Sequence, residues 1–370
     1  MAESYFGIEL KIVDPIFKNR ILLDVLHKPT AYIQITDLNS DIYTLATCTS
    51  FSVTHDLNSV QEGFSCTIDA ANIWNPRTTD YLNLLDIDIG KRIEIYYGQY
   101  LESGFQYIKI FTGILTENPE SYSFGNSNEI RLSGKSLAYL LDRTDGSFTT
   151  ATYSGGSKQL VEYWLNQAGF TYFSLPYTDT ITFTDQTISY ESAMTGIHAI
   201  RNVLGPLYDT YVSQDGVFII KNTPEFTSGN IEFEYTESNI LSFELSEDSG
   251  NVTTVAIVTG NSDTASSTKE ASSTLLGRYG ENKLTRNSGL ITTADQADQL
   301  ASDMLEYGAL FQNVINLKVH LNPYLTGSSI ISIESPTLMS LSEQVVKVES
   351  VNHSYTFGGD HTTTIKGLFS

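Results

Sequence analysis

Ser121-Tyr-Ser-Phe-Gly-Asn-Ser-Asn-Glu-Ile-Arg-Leu-Ser-Gly134 decides the reading of this chain, because much of it is written again as Ser354-Tyr-Thr-Phe-Gly-Gly-Asp-His-Thr-Thr-Thr-Ile-Lys-Gly367. Laid together without gaps, Tyr122 falls on Tyr355, Phe124 on Phe357 and Gly134 on Gly367, while Ser123/Thr356 and Leu132/Ile365 are conservative. Ahead of each copy stands a Gly-x-x-Ile element, Gly90 to Ile93 in the first and Gly327 to Ile330 in the second. A period of this length is far beyond that of a solenoid. It reads as one β-unit present twice, with Gly90, Tyr122, Phe124, Gly134, Gly327, Tyr355, Phe357 and Gly367 as the positions that define the repeat, and everything between the copies as insertion or linker.

The 370 residues are enough for two or three domains with real cores. Tyrosine (22) and phenylalanine (18) are abundant, proline (9) is scarce, and serine and threonine recur in alternating runs, which suits strands. The class is mainly β. Lys plus Arg number 21 against 43 Asp plus Glu, a formal charge of −22 that disfavours stable binding to phosphate backbones or anionic lipid. Met1 to Gly7 lacks the basic start of a secretory signal and no apolar run is long enough for a bilayer, so no membrane anchoring and assembly in a cytoplasm are expected. Cys48 and Cys66 lie on two runs that read as a hairpin. Strand parity points Cys66 inward and Cys48 outward unless a bulge intervenes, which favours two reduced thiols.

In chain order, residues 1–30 read as an arm, residues 31–149 as a first small β-barrel, residues 150–228 as a compact α+β insert and residues 229–370 as a second β-barrel. The first barrel rests on the alternating runs Tyr32–Thr36, Thr49–Thr54, Phe64–Ile68, Ile93–Tyr97, Tyr107–Thr116 and Ile130–Gly134, with one helical turn at Thr79–Leu85. In the insert, Leu160, Val161, Trp164, Leu165 and Ala168 form a helical stripe capped by Gly169, and Ala193, Ile197, Ile200 and Leu204 form another that ends at Gly205. A hairpin turning at Asp215-Gly216 follows. Gly260–Thr274 reads as a mobile low-complexity loop and Thr293 to Gln296 as a capping box opening a helix.

Catalysis requires convergent groups, and no nucleophile elbow, phosphate loop, His-Glu-x-x-His or paired Cys-x-x-Cys is present. The expectation is no enzyme, no cofactor and no metal, with His353 and His361 read as exposed hairpin histidines. Trp74 and the tyrosines admit a carbohydrate-binding adhesin as an alternative, against the reading that alternating rings are core; a cell-wall hydrolase is the more remote alternative.

Ile89 to Gly98, Phe111 to Glu117 and Ile130 to Arg143 resemble the first barrel of the bacteriophage baseplate hub family, which includes the late control protein D group and the N-terminal part of type VI secretion spike proteins. Arg278 to Gly280, the helix from Thr293, Tyr324 to Ile330 and Val348 to Thr364 resemble that family's closing barrel in order and spacing. The resemblance covers about residues 31–370 and leaves out the arm. It implies a structural protein of a phage tail or contractile injection system, found in the virion baseplate: a homotrimer whose six β-units form a pseudo-sixfold ring. Its implied partners are the tail tube or tube-initiator protein, a separate central spike, baseplate wedge proteins and the tape measure protein, with DNA only in transit. Since the sequence stops at Ser370, just after the second barrel, the spike that follows in the type VI family is expected on a separate chain. An acidic conduit lets phosphate pass without sticking, and the pool from which its lining is expected is Asp86, Asp88, Glu94, Glu117, Glu129, Glu334, Glu349 and Asp360.

Overall fold

Alternating apolar and polar residues produce strands here, and the strands pair mainly into one large sheet. The computed structural model describes residues 30–36, 42–45, 48–57, 62–69, 89–101, 104–117, 120–123, 128–142, 149–179, 181–335 and 341–369. The arm before Thr30, the turn at Thr79–Leu85, Trp74, Asp86, Asp88 and Phe124 lie outside the described residues. The first unit holds β1 (Thr30–Thr36), β2 (Ile42–Leu45), β3 (Cys48–Asp56), β4 (Gly63–Asp69), β5 (Arg92–Leu101), β6 (Gly104–Leu115), β7 (Glu120–Ser123) and β8 (Asn128–Ser136), closed by a 3-10 helix over Leu137–Asp142. The insert region contributes β9 (Thr149–Gly156), α1 (Ser157–Gln167), β10 (Phe173–Ser174), β11 (Thr182–Ser189), α2 (Ala193–Leu204), β12 (Tyr208–Val212) and β13 (Phe218–Asn222). The remainder comprises β14 (Phe233–Thr236), β15 (Ile240–Ser246), β16 (Val255–Thr259), β17 (Ser266–Glu270), α3 (Ser273–Tyr279), β18 (Lys283–Asn287), α4 (Ala294–Ala309), β19 (Val314–His320), β20 (Ile330–Ser335), β21 (Leu341–Thr356) and β22 (His361–Phe369).

Strand order along the 14-stranded sheet is β15-β19-β22-β21-β3-β4-β8-β6-β5-β1-β2, with β14, β20 and β7 attached to it. The fold is mainly β. Where two barrels are expected, the pairings among the described residues follow this open path and none closes either unit.

The two copies of the repeat fall on equivalent strands. Gly113, Ile114 and Leu115 of β6 face Ser136, Lys135 and Gly134 of β8; at the same displacement, Val346, Lys347 and Val348 of β21 face Phe369, Leu368 and Gly367 of β22. Beyond that point the registers part by one. Four residues lie between Leu115 and Glu120, which faces Arg131, whereas three lie between Val348 and Asn352, which faces Thr364. Tyr122 therefore faces Glu129 while Tyr355 faces His361, and it is Ser123, opposite Asn128, that stands where Tyr355 stands. The leading glycines are also offset. Leu115 N donates to Lys91 O and Val348 N to Ser329 O, so Gly90 corresponds to Ser328 rather than to Gly327. A gapless alignment cannot see either slip, because a bulge inserts one residue without breaking the apolar alternation for long.

The correspondence extends across the sheet. Phe64 faces Gly134 and Ile315 faces Gly367, while Val53 faces Phe64 and Leu245 faces Ile315. Both β3 and β15 carry the same irregularity, between Cys48 and Ser50 in one and between Ile240 and Ser242 in the other. That bulge turns Cys48 inward, so both cysteines are buried and free. One difference remains: β14 runs parallel to β20, whereas β1 runs antiparallel to β5.

The insert is not self-contained. Its helical stripes, Leu160, Val161, Trp164 and Leu165 with Ala193, Ile197, Ile200 and Leu204, share one hydrophobic cluster with Ile114, Leu137 and Leu141 of the first unit. Ala256, Val258, Leu290, Ile291, Ala297, Leu300 and Met304, from the stretch assigned by sequence to the second barrel, complete the same cluster. That stretch forms its own sheet, β17-β16-β18, covered by α4. The polar run expected as a mobile loop supplies β17 and the first two residues of α3, since alternating serine and threonine are adequate for an edge strand. Gly169 and Gly205 end their helices at positive φ (71° and 91°), Gly216 turns the hairpin at 80°, and Thr293 and Gln296 form the reciprocal capping box.

Candidate functional site: the junctions of the β-units

Among the described residues, the informative sites are the surfaces where the units meet. The first is the β3–β21 junction, where Asp56 to Ser50 run antiparallel to Ser350 to Thr356. Asn352 Nδ2 donates to Thr54 Oγ1 at 2.8 Å and to Ser52 Oγ at 3.1 Å. Phe51 stacks on Tyr355 with centroids 5.2 Å apart, and Tyr97 and His361 pack on the same ring. Tyr355 thus belongs to the first unit's core cluster although it comes from the second unit, which makes the junction a shared core.

Two histidines lie within it. His55 alternates with Phe51 and Val53 and so points inward, where Nε2 donates to Ile110 O at 2.9 Å and Nδ1 lies 3.0 Å from Glu62 Oε2. Burial pushes the His55 ring down, but the Glu62 carboxylate outweighs it and the net direction is up; burial raises Glu62. The pair holds on to a proton. His353, expected at an exposed hairpin, alternates with Val351 and Tyr355 and is fully buried. Its Nδ1 is 3.0 Å from Thr363 Oγ1 and its Nε2 3.2 Å from Leu325 O. Burial, and then the neighbouring His55, press its pKa to about 3, so it is neutral. No group of three or more metal-ligating side chains occurs among the described residues.

The second junction joins β21 to the insert and α4. Lys347 Nζ lies 3.1 Å from Asp209 Oδ1 and 3.4 Å from Glu349 Oε1, with the Tyr307 ring 5.0 Å away. Tyr307 Oη donates to Glu349 Oε1 at 2.7 Å and Thr223 Oγ1 to Asp209 Oδ1 at 2.7 Å. Lys347 and Asp209 are fully buried. Burial raises the Glu349 carboxyl, with Lys347 offsetting part of it. Lys347 is on the strand face opposite Val346 and Val348, which reads as solvent-facing until the insert covers it.

These contacts divide the acidic pool. Glu349 belongs to the Lys347 cluster, and Glu94 is held by Tyr96 Oη at 2.6 Å, Arg92 at 2.8 Å and Lys109 at 3.0 Å. Burial alone would raise the Glu94 carboxyl; these donors bring it net below its ordinary range. Neither is a free charge. Glu117, which accepts from Ser133 Oγ, and Glu129, Glu334 and Asp360 are exposed. Of the repeat-defining residues, Gly134 and Gly367 occupy matching close approaches, where an added Cβ would meet the carbonyls of Ile114 and Lys347. Tyr355 is core and Phe357 is exposed beside Gly358 (φ 72°) at a hairpin tip. The sequence reading missed His55, Glu62, Asp209, Tyr307 and Lys347; strand parity was a usable signal for His55 alone.

No protein-family model matches the chain, and no curated protein matches it in sequence. Solved structures do match. A tail protein from Neisseria meningitidis superposes with a TM-score of 0.67 at 11% identity, over 92% of this chain and 96% of that one. The 43 kDa tail protein of prophage MuSo2 from Shewanella oneidensis gives 0.66 at 12% identity, over 92% and 98%. An E. coli type VI secretion component, whose own structure resembles two bacteriophage T4 tail proteins, gives 0.51 at 10% identity, over 91% and 76%. The chain has the fold of these phage tail and type VI secretion proteins.

Proposed function

We propose that the chain is the structural hub of a phage tail or contractile injection system, a homotrimer that connects the tail tube to a separate central spike and works without catalysis. The observation that carries this reading is the internal match of two β-units, in register and bulge across β3-β4-β8 and β15-β19-β22, set side by side by β3–β21 pairing. Two similar units per chain, in three chains, give six similar positions around an axis, the pseudo-sixfold ring suited to a tube. Closing such a ring also covers strand edges that would otherwise invite aggregation.

The fold shared with tail proteins and a type VI component supports the same reading. In the virion baseplate, the partners would be the tube or its initiator, the spike, the wedge proteins and the tape measure protein. Among the described residues, Glu117, Glu129, Glu334 and Asp360 are the members of the acidic pool left to line a passage, with Asp86 and Asp88 still in the pool, since each Lys or Arg there would add a phosphate contact by counterion release. Light scattering with negative-stain imaging tests the assembly: threefold rings with three chains support it, and a monomer at all concentrations removes it.

A further inference from the structure

We infer that the cleft between α2, β18 and α4 is a docking site for an acidic segment of another protein, with a carboxylate held between the Arg201 and Arg286 guanidiniums and an apolar neighbour resting on Leu300, Met304 and Phe311. The inference stands apart from the ring reading and does not need it.

Local sequence places the groups. β18 is an edge strand of the sheet β17-β16-β18, and alternation puts Leu284 and Arg286 on the same face of it. Leu284 packs against the hydrophobic cluster shared with the insert, so Arg286, two residues on, is carried to the rim of that core. Arg201 comes from the last turn of α2, just before the helix ends at Gly205. α4 supplies Leu300 and Met304, both buried, and Phe311 follows its end. These residues line a cleft of about 270 Å³.

Charge sets this cleft apart. The chain carries 43 Asp and Glu against 21 Lys and Arg. Among the described residues, however, the charged side chains lining the cleft are Arg201, Lys283 and Arg286, and no carboxylate lines it. Lys283 is matched at the mouth, where its Nζ lies 2.9 Å from Glu281 Oε2. Arg286 is matched by a neutral group: its Nη1 donates to Asn202 Oδ1 at 3.1 Å. Burial, and then Arg286, press the Arg201 guanidinium below its ordinary range, although Tyr307, Glu349 and Asp209 pull the other way. Two cations that repel each other at a half-buried site cost free energy, and an anion between them offsets that cost. A carboxylate accepting from both would make charge-assisted hydrogen bonds of the strong kind.

The walls select the kind of anion. A free phosphate would leave Leu300, Met304 and Phe311 without a partner, and a nucleic acid would meet the field of a chain with a formal charge of −22. An extended peptide meets both surfaces, because successive side chains point to opposite sides. One residue can then reach the arginines while the next lies on the apolar wall.

The test uses the full chain and an unlabelled, N-acetylated and C-amidated hexapeptide of alternating glutamate and leucine, titrated by calorimetry. The same peptide with glutamine for glutamate is the control. The glutamate peptide should bind about tenfold or more tighter than the control, and Arg286→Gln should cost about tenfold of that affinity, the size of one charge-assisted contact. Arg286→Lys should recover part of the loss. Arg286 is exposed, so thermal unfolding of both variants should match that of the unmodified chain. Absence of binding, equal binding of the two peptides, or affinity that Arg286→Gln leaves unchanged overturns the inference. Inorganic phosphate that displaces the peptide in the same concentration range would reveal a small-anion site and overturn it as well. A chain that binds the peptide but stays monomeric removes the ring reading alone.

Discussion

Acidification should destabilise the fold through His353, whose burial disfavours the charged ring. The ring is fully buried between β3, β22 and the Leu325 turn. A carbonyl can only accept, so Nε2 carries the hydrogen toward Leu325 O, and Nδ1 accepts from the Thr363 hydroxyl. The neutral ring is satisfied; a second ring proton would meet that hydroxyl and add a charge 5.8 Å from the His55 ring, which shares a proton with Glu62. Burial and His55 hold the folded pKa at about 3, whereas an unfolded histidine titrates near about 6.5. Between those values the unfolded chain binds a proton that the folded chain refuses, so stability falls as pH falls, by about 1.4 kcal/mol per unit. At pH 4.5 the loss is on the order of 2–3 kcal/mol. Other groups titrate in the same window, and His55, raised on balance, acts with the opposite sign. The measurement is therefore a difference: urea unfolding of the unmodified chain and of His353→Gln at pH 7 and pH 4.5. The stability advantage of the unmodified chain should shrink by roughly 2–3 kcal/mol at the lower pH. An advantage of the same size at both pH values would show that His353 titrates normally and refute the argument.

Lys347→Met should cost about 3–5 kcal/mol, because it leaves Asp209 and Glu349 buried without their cation. Adding Asp209→Asn should recover a large part of that cost in urea denaturation, and no recovery would mean that the lysine acts through packing. Gly134→Ala should cost about 3 kcal/mol and Gly367→Ala about 1 kcal/mol. At Gly134 the new methyl collides with the Ile114 carbonyl and the Phe64 ring, whereas at Gly367 the nearest atom belongs to the Val346 side chain, which can move, and the Lys347 carbonyl is 2.9 Å away. The reverse order in thermal unfolding would count against the close approach of β6 to β8 at Gly134 described for the first unit.

What the sequence determined by itself is what local periodicity encodes. Period-two alternation set most strands of both units, the stripes at Leu160–Leu165 and Ala193–Leu204 set two helices, and Gly169, Gly205, Gly216 and the Thr293–Gln296 box set their ends, because caps and turns depend on neighbours along the chain. The repeat was legible for the same reason. It was legible only to within a residue, since the extra residue between Leu115 and Glu120 leaves the composition of the copy unchanged while it moves Tyr122 one place from Tyr355.

Tertiary structure alone decided the burial of charge and the extent of the cores. Lys347 sits in a strand where its face should be wet, and it is dry because Asp209, more than a hundred residues earlier, arrives with the insert. Glu94 and Glu349 look like members of an acidic lining in a one-dimensional list, and the fold gives each a set of donors instead. The insert reads as a compact unit by its helical stripes, yet its core is completed by β16 and α4, which lie beyond residue 250. Contacts between distant segments leave no period in the sequence, so pairing β3 with β21 was not predictable from either strand.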